Sequence, residues 1–303
     1  MTIKHIVISG GGPTGLLSYG ALRYLAKENF WKLADINSIY GCSIGAYIAI
    51  IISLDYEWDW LDDYFIKRPW NKIAPINAMS FIEIFDEKGI LGEKVFADSL
   101  IPLLTAKDLA DDITFKQLYE YNKIDIHIYA TNINSYYLEK VDLSHTTHPD
   151  LPIIKALSMT AAYPFAFKPV CSGEDCFIDG GLLNNYPLND CIIQTKCNTD
   201  EILALKNIWI LNDSKVSEKS SIIDFLLMIM KKMQRSIDTE GKQEDVKHTV
   251  KCSIENLDGF SSWIKAVSTE EMRKKLIDNG ETQAKEFLSN IISFNINSFK
   301  VMS

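Results

Sequence analysis

The sequence predicts an α/β fold: a central, mostly parallel sheet flanked by helices, with a helical C-terminal part. Three observations predict it. A short β-branched run at residues 4–9 leads through Gly10, Gly11 and Gly12 into a helical pattern at 15–29. The same strand, glycine turn and helix recur where Ser38-Ile39-Tyr40 passes through Gly41-Cys42 into an apolar helix at 44–54. Each helix carries the chain back to start the next strand beside the last, which builds a parallel sheet. The last third then turns helical, at 222–237 and 269–292.

The elements follow in order. The first helix carries Leu16, Leu17, Tyr19, Leu22, Leu25 and Ala26 on helical spacing. Residues 55–104 are less regular and rich in aromatics. Residues 124–133 read as a strand, through Ile126, Ile128, Tyr129 and Ala130, and 136–141 pair with it across a turn at Asn134-Ser135. A helix at 151–162, a strand end at Phe177-Ile178, a helix at 188–194 and a buried strand at 205–211 complete the middle. There is no repeat, low-complexity segment or Pro/Gly/Ser linker. The expectation is one domain over 1–303, with its motifs in a core at about 4–212 and a helical extension at about 213–303.

Composition narrows the classes. With 303 residues, 47% hydrophobic and 23% charged, the chain has the balance of a globular protein. A net charge of −9 argues against nucleic acid as a partner, because phosphates would be repelled. No stretch reaches the ~18 apolar residues of a membrane span, and the apolar run after Met1 is too short for a signal peptide. Cys42, Cys171, Cys176, Cys191, Cys197 and Cys252 form no CxxC pair and have no His partner at zinc spacing. They are read as reduced thiols of an intracellular chain, with no metal; Cys171 and Cys176 flank a hairpin-like segment and would pair only in an oxidising compartment.

Gly10-Gly11-Gly12-Pro13-Thr14-Gly15 satisfies the G-x-G-x-x-G template of dinucleotide binding. That template asks for an acid at the end of the second strand, whereas Asp35 precedes it. Consecutive glycines before a helix also present convergent backbone N–H groups to an anion, including the oxyanion of an acyl-transfer intermediate. A tight turn is the third reading, and this loop alone does not choose.

Gly41-Cys42-Ser43-Ile44-Gly45 is a G-x-S-x-G between a strand and a helix, the context in which the pattern forms a nucleophile elbow. Ser43 would sit at a helix N-terminus, where the dipole favours an incipient alkoxide. A serine nucleophile needs a base. His5 and His127 fall on buried strands and read as core positions. His145 and His148 lie on a polar loop, and His248 comes late in the chain; none has a motif around it. Asp179-Gly180-Gly181 is more distinctive, since two glycines let the carboxylate approach another loop. In a dry pocket its pKa would rise toward that of a working base.

Taken together, these residues resemble the patatin-like phospholipase family. Gly10-Gly11-Gly12-Pro13-Thr14-Gly15 is similar to the family's oxyanion loop and Gly41-Cys42-Ser43-Ile44-Gly45 to its nucleophile elbow. Ala156-Leu157-Ser158-Met159-Thr160-Ala161-Ala162-Tyr163-Pro164-Phe165 is similar to its Ala-Ser-x-Ala-x-Pro block. Asp179-Gly180-Gly181, with Asn184-Asn185-Tyr186-Pro187, is similar to its catalytic Asp block. The resemblance implies a three-layer α/β/α fold and a lipid acyl hydrolase with a Ser–Asp dyad, no histidine, no cofactor and no metal. Ser43 would be the nucleophile and Asp179 the base. Gly10, Gly11, Gly12 and Gly15 would form the oxyanion loop, with donors at Gly11 and Gly12, and Gly41 and Gly45 the elbow glycines. The implied partner is lipid at a membrane or micelle surface. Thr14 departs from the family, which usually carries Arg or Lys there, and this opens neutral esters beside phospholipids.

Two features bear on lipid contact. Trp58, Trp60, Tyr64, Phe65 and Trp70 crowd one segment and are read as core rather than as an interfacial face. The helix at 222–237 sets Phe225, Leu226, Ile229, Met230 and Met233 on one side, with Lys231, Lys232 and Arg235 among its charges. That pattern suits an anionic surface, although packing on the sheet is the expected role. The alternatives to the hydrolase are a nucleotide-binding oxidoreductase and a catalytically silent lipid-binding protein.

Overall fold

The computed structural model describes residues 2–75, 84, 86–209, 216–218, 220, 222–237, 245–254 and 268–301. The predicted end of the strand at 210–211 and residues 302–303 lie outside them. Strand β1 (His5–Ile8) feeds helix α1 (Gly15–Lys27), and β2 (Ser38–Cys42) feeds α2 (Ile44–Ser53). Helices α3 (Trp58–Lys67), α4 (Trp70–Ile73), α5 (Glu93–Thr105) and α6 (Phe115–Asn122) lead to β4 (Asp125–Asn132), with β3 (Gly89–Leu91) between α4 and α5. The chain continues through β5 (Glu139–Leu143), α7 (Ile153–Thr160), β6 (Phe165–Phe167), β7 (Val170–Ser172) and β8 (Asp175–Asp179). It ends with α8 (Gly181–Asn184), α9 (Leu188–Thr195), β9 (Ile202–Trp209), α10 (Ile222–Ile237), β10 (Thr249–Ile254) and α11 (Glu270–Val301).

The main sheet runs β10-β9-β1-β2-β4-β8-β7, and β5 also pairs with β4. From β10 to β4 every pairing is parallel; β5, β7 and β8 are antiparallel. β1 is buried throughout, as an interior parallel strand covered on both faces must be. Ile6, Ile8, Leu17, Leu22, Ile39, Ile48 and Leu205 belong to the larger core, while Val7, Tyr40, Tyr129 and Leu188 belong to a smaller one.

Three regions depart from the sequence expectations. The C-terminal part is not all helix, since Thr249–Ile254 adds a parallel strand to β9. Its buried Val250 and Cys252 alternate with exposed Lys251, a period-two signal too short to stand out between helical patterns. α11 then packs along α1 at a crossing where a side chain at Gly20 would strike the Ile277 carbonyl oxygen at 2.1 Å and one at Gly280 that of Leu17 at 2.0 Å. Second, the aromatic stretch holds helices. Pro102, inside α5, cannot bond the carbonyl four residues back, and the Arg68 guanidinium donates to that Asp98 oxygen instead. Trp58 and Phe65 pack around Tyr19, and Trp60 stacks on Tyr56, so this cluster is chiefly core.

Third, the cysteine reading needs correction at one pair. Cys171 and Cys176 are joined by a disulfide. The hairpin register sets them directly opposite one another on β7 and β8, which brings the sulfurs together. Cys42, Cys191, Cys197 and Cys252 are free thiols. Among the described residues no helix is long and apolar enough to cross a membrane, and no cluster of three or more His, Cys, Asp or Glu is arranged to hold a metal ion.

Candidate active site

The sheet register brings Ser43 and Asp179 together. β2 runs beside β4 as far as Cys42 opposite Tyr129. β8 approaches the same edge of β4 from the other direction and ends with Asp179 opposite Ala130. The carboxyl ends of the two strands therefore meet head to head along β4, one residue apart in register. This is the carboxyl edge of the parallel sheet, where α/β folds place their ligands.

Ser43 sits between β2 and α2 at φ 53° and ψ −123°, a conformation costing about 1–3 kcal/mol for a residue with a side chain. The elbow glycines make the turn possible by close approach. A side chain at Gly45 would meet the Ile8 carbonyl oxygen at 2.3 Å, and one at Gly41 the backbone nitrogen of Ala46 at 2.7 Å. Thr160, at the end of α7, holds the strained residue in place. Its hydroxyl oxygen accepts from the Ser43 N–H at 2.9 Å and donates to the Tyr129 carbonyl at 2.5 Å. Its own carbonyl accepts from the Gly180 N–H at 3.3 Å. One buried side chain thus ties the residue of the elbow to the strand end beside Asp179.

Asp179 is buried, 7% exposed, and among the described residues no cation contributes to its surroundings. Burial pushes its carboxyl up to about 6; the Gly181 N–H, the Ser43 hydroxyl and the Cys42 thiol stabilise the anion and limit the rise. The Gly181 N–H lies 2.7 Å from Oδ1 and the Cys42 Sγ 3.9 Å. Gly180 lets β8 close on β4, since a side chain there would meet the Tyr129 carbonyl oxygen at 2.0 Å.

The first glycine loop lies next to the elbow because β1 and β2 are parallel neighbours. Its four glycines divide. The Gly10 N–H donates to the Asn185 carbonyl at 2.9 Å, and the Gly15 N–H caps the turn onto Gly12 and Pro13. Gly10 and Gly15 thus spend their N–H groups within the protein and serve close packing: a side chain at Gly15 would strike Ile44 Cγ1 at 2.2 Å. Gly11 and Gly12 keep half-exposed backbone at the loop apex. Thr14 is buried and donates to the Gly11 carbonyl at 2.9 Å, so this side chain braces the loop. Asn207 of β9 donates to the carbonyls of Ser9 and Gly10, and Asn185 flanks the same strand end. Sequence reasoning missed Asn207, which carries no local motif, and left Thr160 inside a block without a role.

The histidines bond elsewhere. His5 bonds Ser38, His145 bonds Asp125, His148 bonds Thr147, and His248 packs edge-on against Phe30. His127 lies between Asp125 and Asp142, at 3.2 and 2.9 Å.

A sequence model of the patatin-like phospholipase family matches residues 6–192, more than half of the chain. The chain belongs to this family. All the site residues from Gly10 to Asp179 fall inside the matched span. Among relatives of the family, an uncharacterized protein of Acanthamoeba polyphaga mimivirus, R571, is 28% identical over 186 residues, covering 61% of this chain and 60% of that protein. The chain thus spans less than two thirds of that relative. A probable lipid hydrolase of Invertebrate iridescent virus 6, 463L, is 26% identical over 213 residues, covering 68% of this chain and 70% of the other. In fold, the chain is similar to VipD from Legionella pneumophila, with a TM-score of 0.56 at 15% identity over 96% of this chain and 67% of that one. Family membership displaces the dinucleotide reading of the first loop, whose glycines at 10 and 15 are accounted for by packing.

Proposed function

We propose that this patatin-like protein is a lipid acyl hydrolase working through a Ser43–Asp179 dyad and an acyl-enzyme. The observation that carries the reading is the end-to-end meeting of β2 and β8 on β4, with a strained serine on one strand end and a cation-free, buried carboxylate on the other. The 463L relative, by its name a probable lipid hydrolase, supports the lipid class.

In this reading Asp179 accepts the proton of the Ser43 hydroxyl as Oγ forms a bond to the ester carbonyl carbon. The N–H groups of Gly11 and Gly12 receive the developing oxyanion, each such donor being typically worth about 2.7–4 kcal/mol. The C–O bond to the alcohol breaks and the leaving oxygen takes the proton from Asp179. Water then attacks the acyl-Ser43 ester, giving up its proton to Asp179; the carboxylic acid departs as Ser43 regains a proton. Strain at Ser43 is held in the ground state by Thr160, so the nucleophile needs no rearrangement before attack. With Thr14 buried and spent on the loop, no cation stands at that position to hold a phosphate, which favours acyl chain over headgroup as the recognised feature.

A fluorophosphonate probe tests the reading. Wild type should be labelled on Ser43, Ser43→Ala should not, and a lipid panel read by mass spectrometry should show fatty acid release only from wild type. Vesicle binding without labelling or release would leave a silent lipid-binding protein.

A further inference from the structure

The side of α10 facing away from the protein carries an apolar stripe that, among the described residues, no other element covers. Ile222, Phe225, Ile229 and Met233 are 64%, 41%, 38% and 54% exposed, spaced to share one face of the helix. The adjoining side of the helix, carrying Met230 and Gln234, closes the proposed site. Gln234 donates to the Gly181 carbonyl, two residues beyond Asp179. Met230 and Gln234, with Tyr163, Leu182 and Asp179, line a cavity of about 10 Å³, too small for an acyl chain. A second apolar projection adjoins the same turn: Tyr136, Tyr137 and Leu138 are 92%, 78% and 43% exposed at the start of β5, and β5 packs beside α8.

We propose that α10 is an interfacial lid, whose outer stripe docks on an anionic lipid surface and whose inner side caps the Asp179 pocket until it docks. Charge selects that surface. Within Ile222–Ile237 the sequence holds Lys231, Lys232 and Arg235 against one acid, Asp224, in a chain whose net charge is −9. An apolar stripe on a helix whose sequence carries net positive charge is what an amphipathic helix uses to lie in an anionic interface. Tyr136 and Tyr137, apolar rings with polar tips, suit headgroup depth beside it. Docking would draw α10 outward and break the Gln234–Gly181 bond, opening the cavity toward the lipid. This inference rests on the hydrolase reading for the purpose of the cavity, but the docking face stands on its own geometry.

The test separates the two. The full chain carrying Ser43→Ala is sedimented with vesicles of phosphatidylcholine containing phosphatidylglycerol, and with pure phosphatidylcholine vesicles. The doubly substituted Ile229→Glu/Met233→Glu protein is compared in the same assay, and both backgrounds are assayed on a soluble short-chain ester. The expected result is binding that needs phosphatidylglycerol and falls by at least about tenfold in the double variant. Soluble-ester turnover of that variant, with Ser43 intact, should be kept or raised. Equal vesicle binding by the variant overturns the lid, even if wild type proves a hydrolase. Binding lost from the variant with no ester turnover in any protein keeps the docking face and removes the hydrolase.

Discussion

Two aspartates lie along β4, Asp125 as its first residue and Asp179 across the ladder from Ala130. Five residues separate these levels, roughly 16 Å of strand. Burial raises the pKa of both, yet they end on opposite sides of the usual carboxylate range. Asp125 touches His127 and His145, whose hydrogen bonds and charges outweigh burial and hold it low. Asp179 has only neutral donors, and burial keeps it up at about 6. The lesson is that two carboxylates set along one strand, one on β4 and one on the neighbouring β8, can be held as a fixed anion at one level and close to neutrality at the other. What differs is the company of a cation.

The sharpest break of that contrast is Asp179→Asn. Turnover is expected to fall by about 10³–10⁴-fold with the fold intact, since the base is gone while binding and oxyanion donors remain. Stability should move the other way. The folded carboxyl holds its proton to a higher pH than the unfolded one, so the wild type loses stability as pH rises from about 4 to 6 and stays at that lower level above. At pH 7–8 the Asn variant should therefore unfold at the same or a higher temperature in a calorimetric scan. A variant that is both inactive and less stable at pH 8 would mean that Asp179 is a structural anion like Asp125.

Thr160→Val comes next. The change keeps the shape and removes the hydroxyl, leaving the Ser43 N–H and the Tyr129 carbonyl without their partner. kcat is expected to fall about 10–100-fold with KM little changed, because only the position of the nucleophile is disturbed. Thr160→Ser should recover most of it. Failure of serine to rescue would assign the loss to packing rather than to the hydrogen bonds.

A smaller effect is the pH dependence. With its carboxyl at about 6, Asp179 should give kcat/KM on a soluble ester an acid limb centred there, falling about tenfold per pH unit below. The limb should vanish in no stable variant that keeps Asp179 and should persist when His127 is replaced. A limb that moved with His127 would couple the two ends of β4.

Much of this was readable in the sequence. The strand, glycine and helix units gave β1, α1, β2 and α2 to within a few residues, because glycines at close approaches leave a local mark. Ser43 and Asp179 stood out for the same reason. What did not stand out depends on contacts far apart in the chain. Thr160 works through a partner 117 residues away and Asn207 through one 198 away, and neither has a local pattern to show it. The division of the first loop's glycines also needed the fold, since Gly10 is occupied by Asn185, 175 residues on. β10 was hidden because six residues with two buried apolar side chains carry little periodic signal.

His127 supplies the gentlest test and the one that defines the other end of the strand. Burial alone would lower its pKa, but hydrogen bonds and charges from Asp125 and Asp142 raise it to about 9. A histidine raised in this way contributes stability that is complete below about pH 6.5 and is lost as pH rises through 9. His127→Gln leaves two carboxylates facing each other without a cation, at an expected cost of about 1–3 kcal/mol at pH 7. Thermal melts should show that deficit constant up to about pH 6.5 and shrinking toward pH 10. Ester turnover should change by less than about threefold at 25 °C, because no contact of the His127 ring reaches Ser43 or Asp179 among the described residues. A deficit that stayed constant to pH 10 would mean that His127 is neutral, and Asp125 would then lose the cation that sets it apart from Asp179.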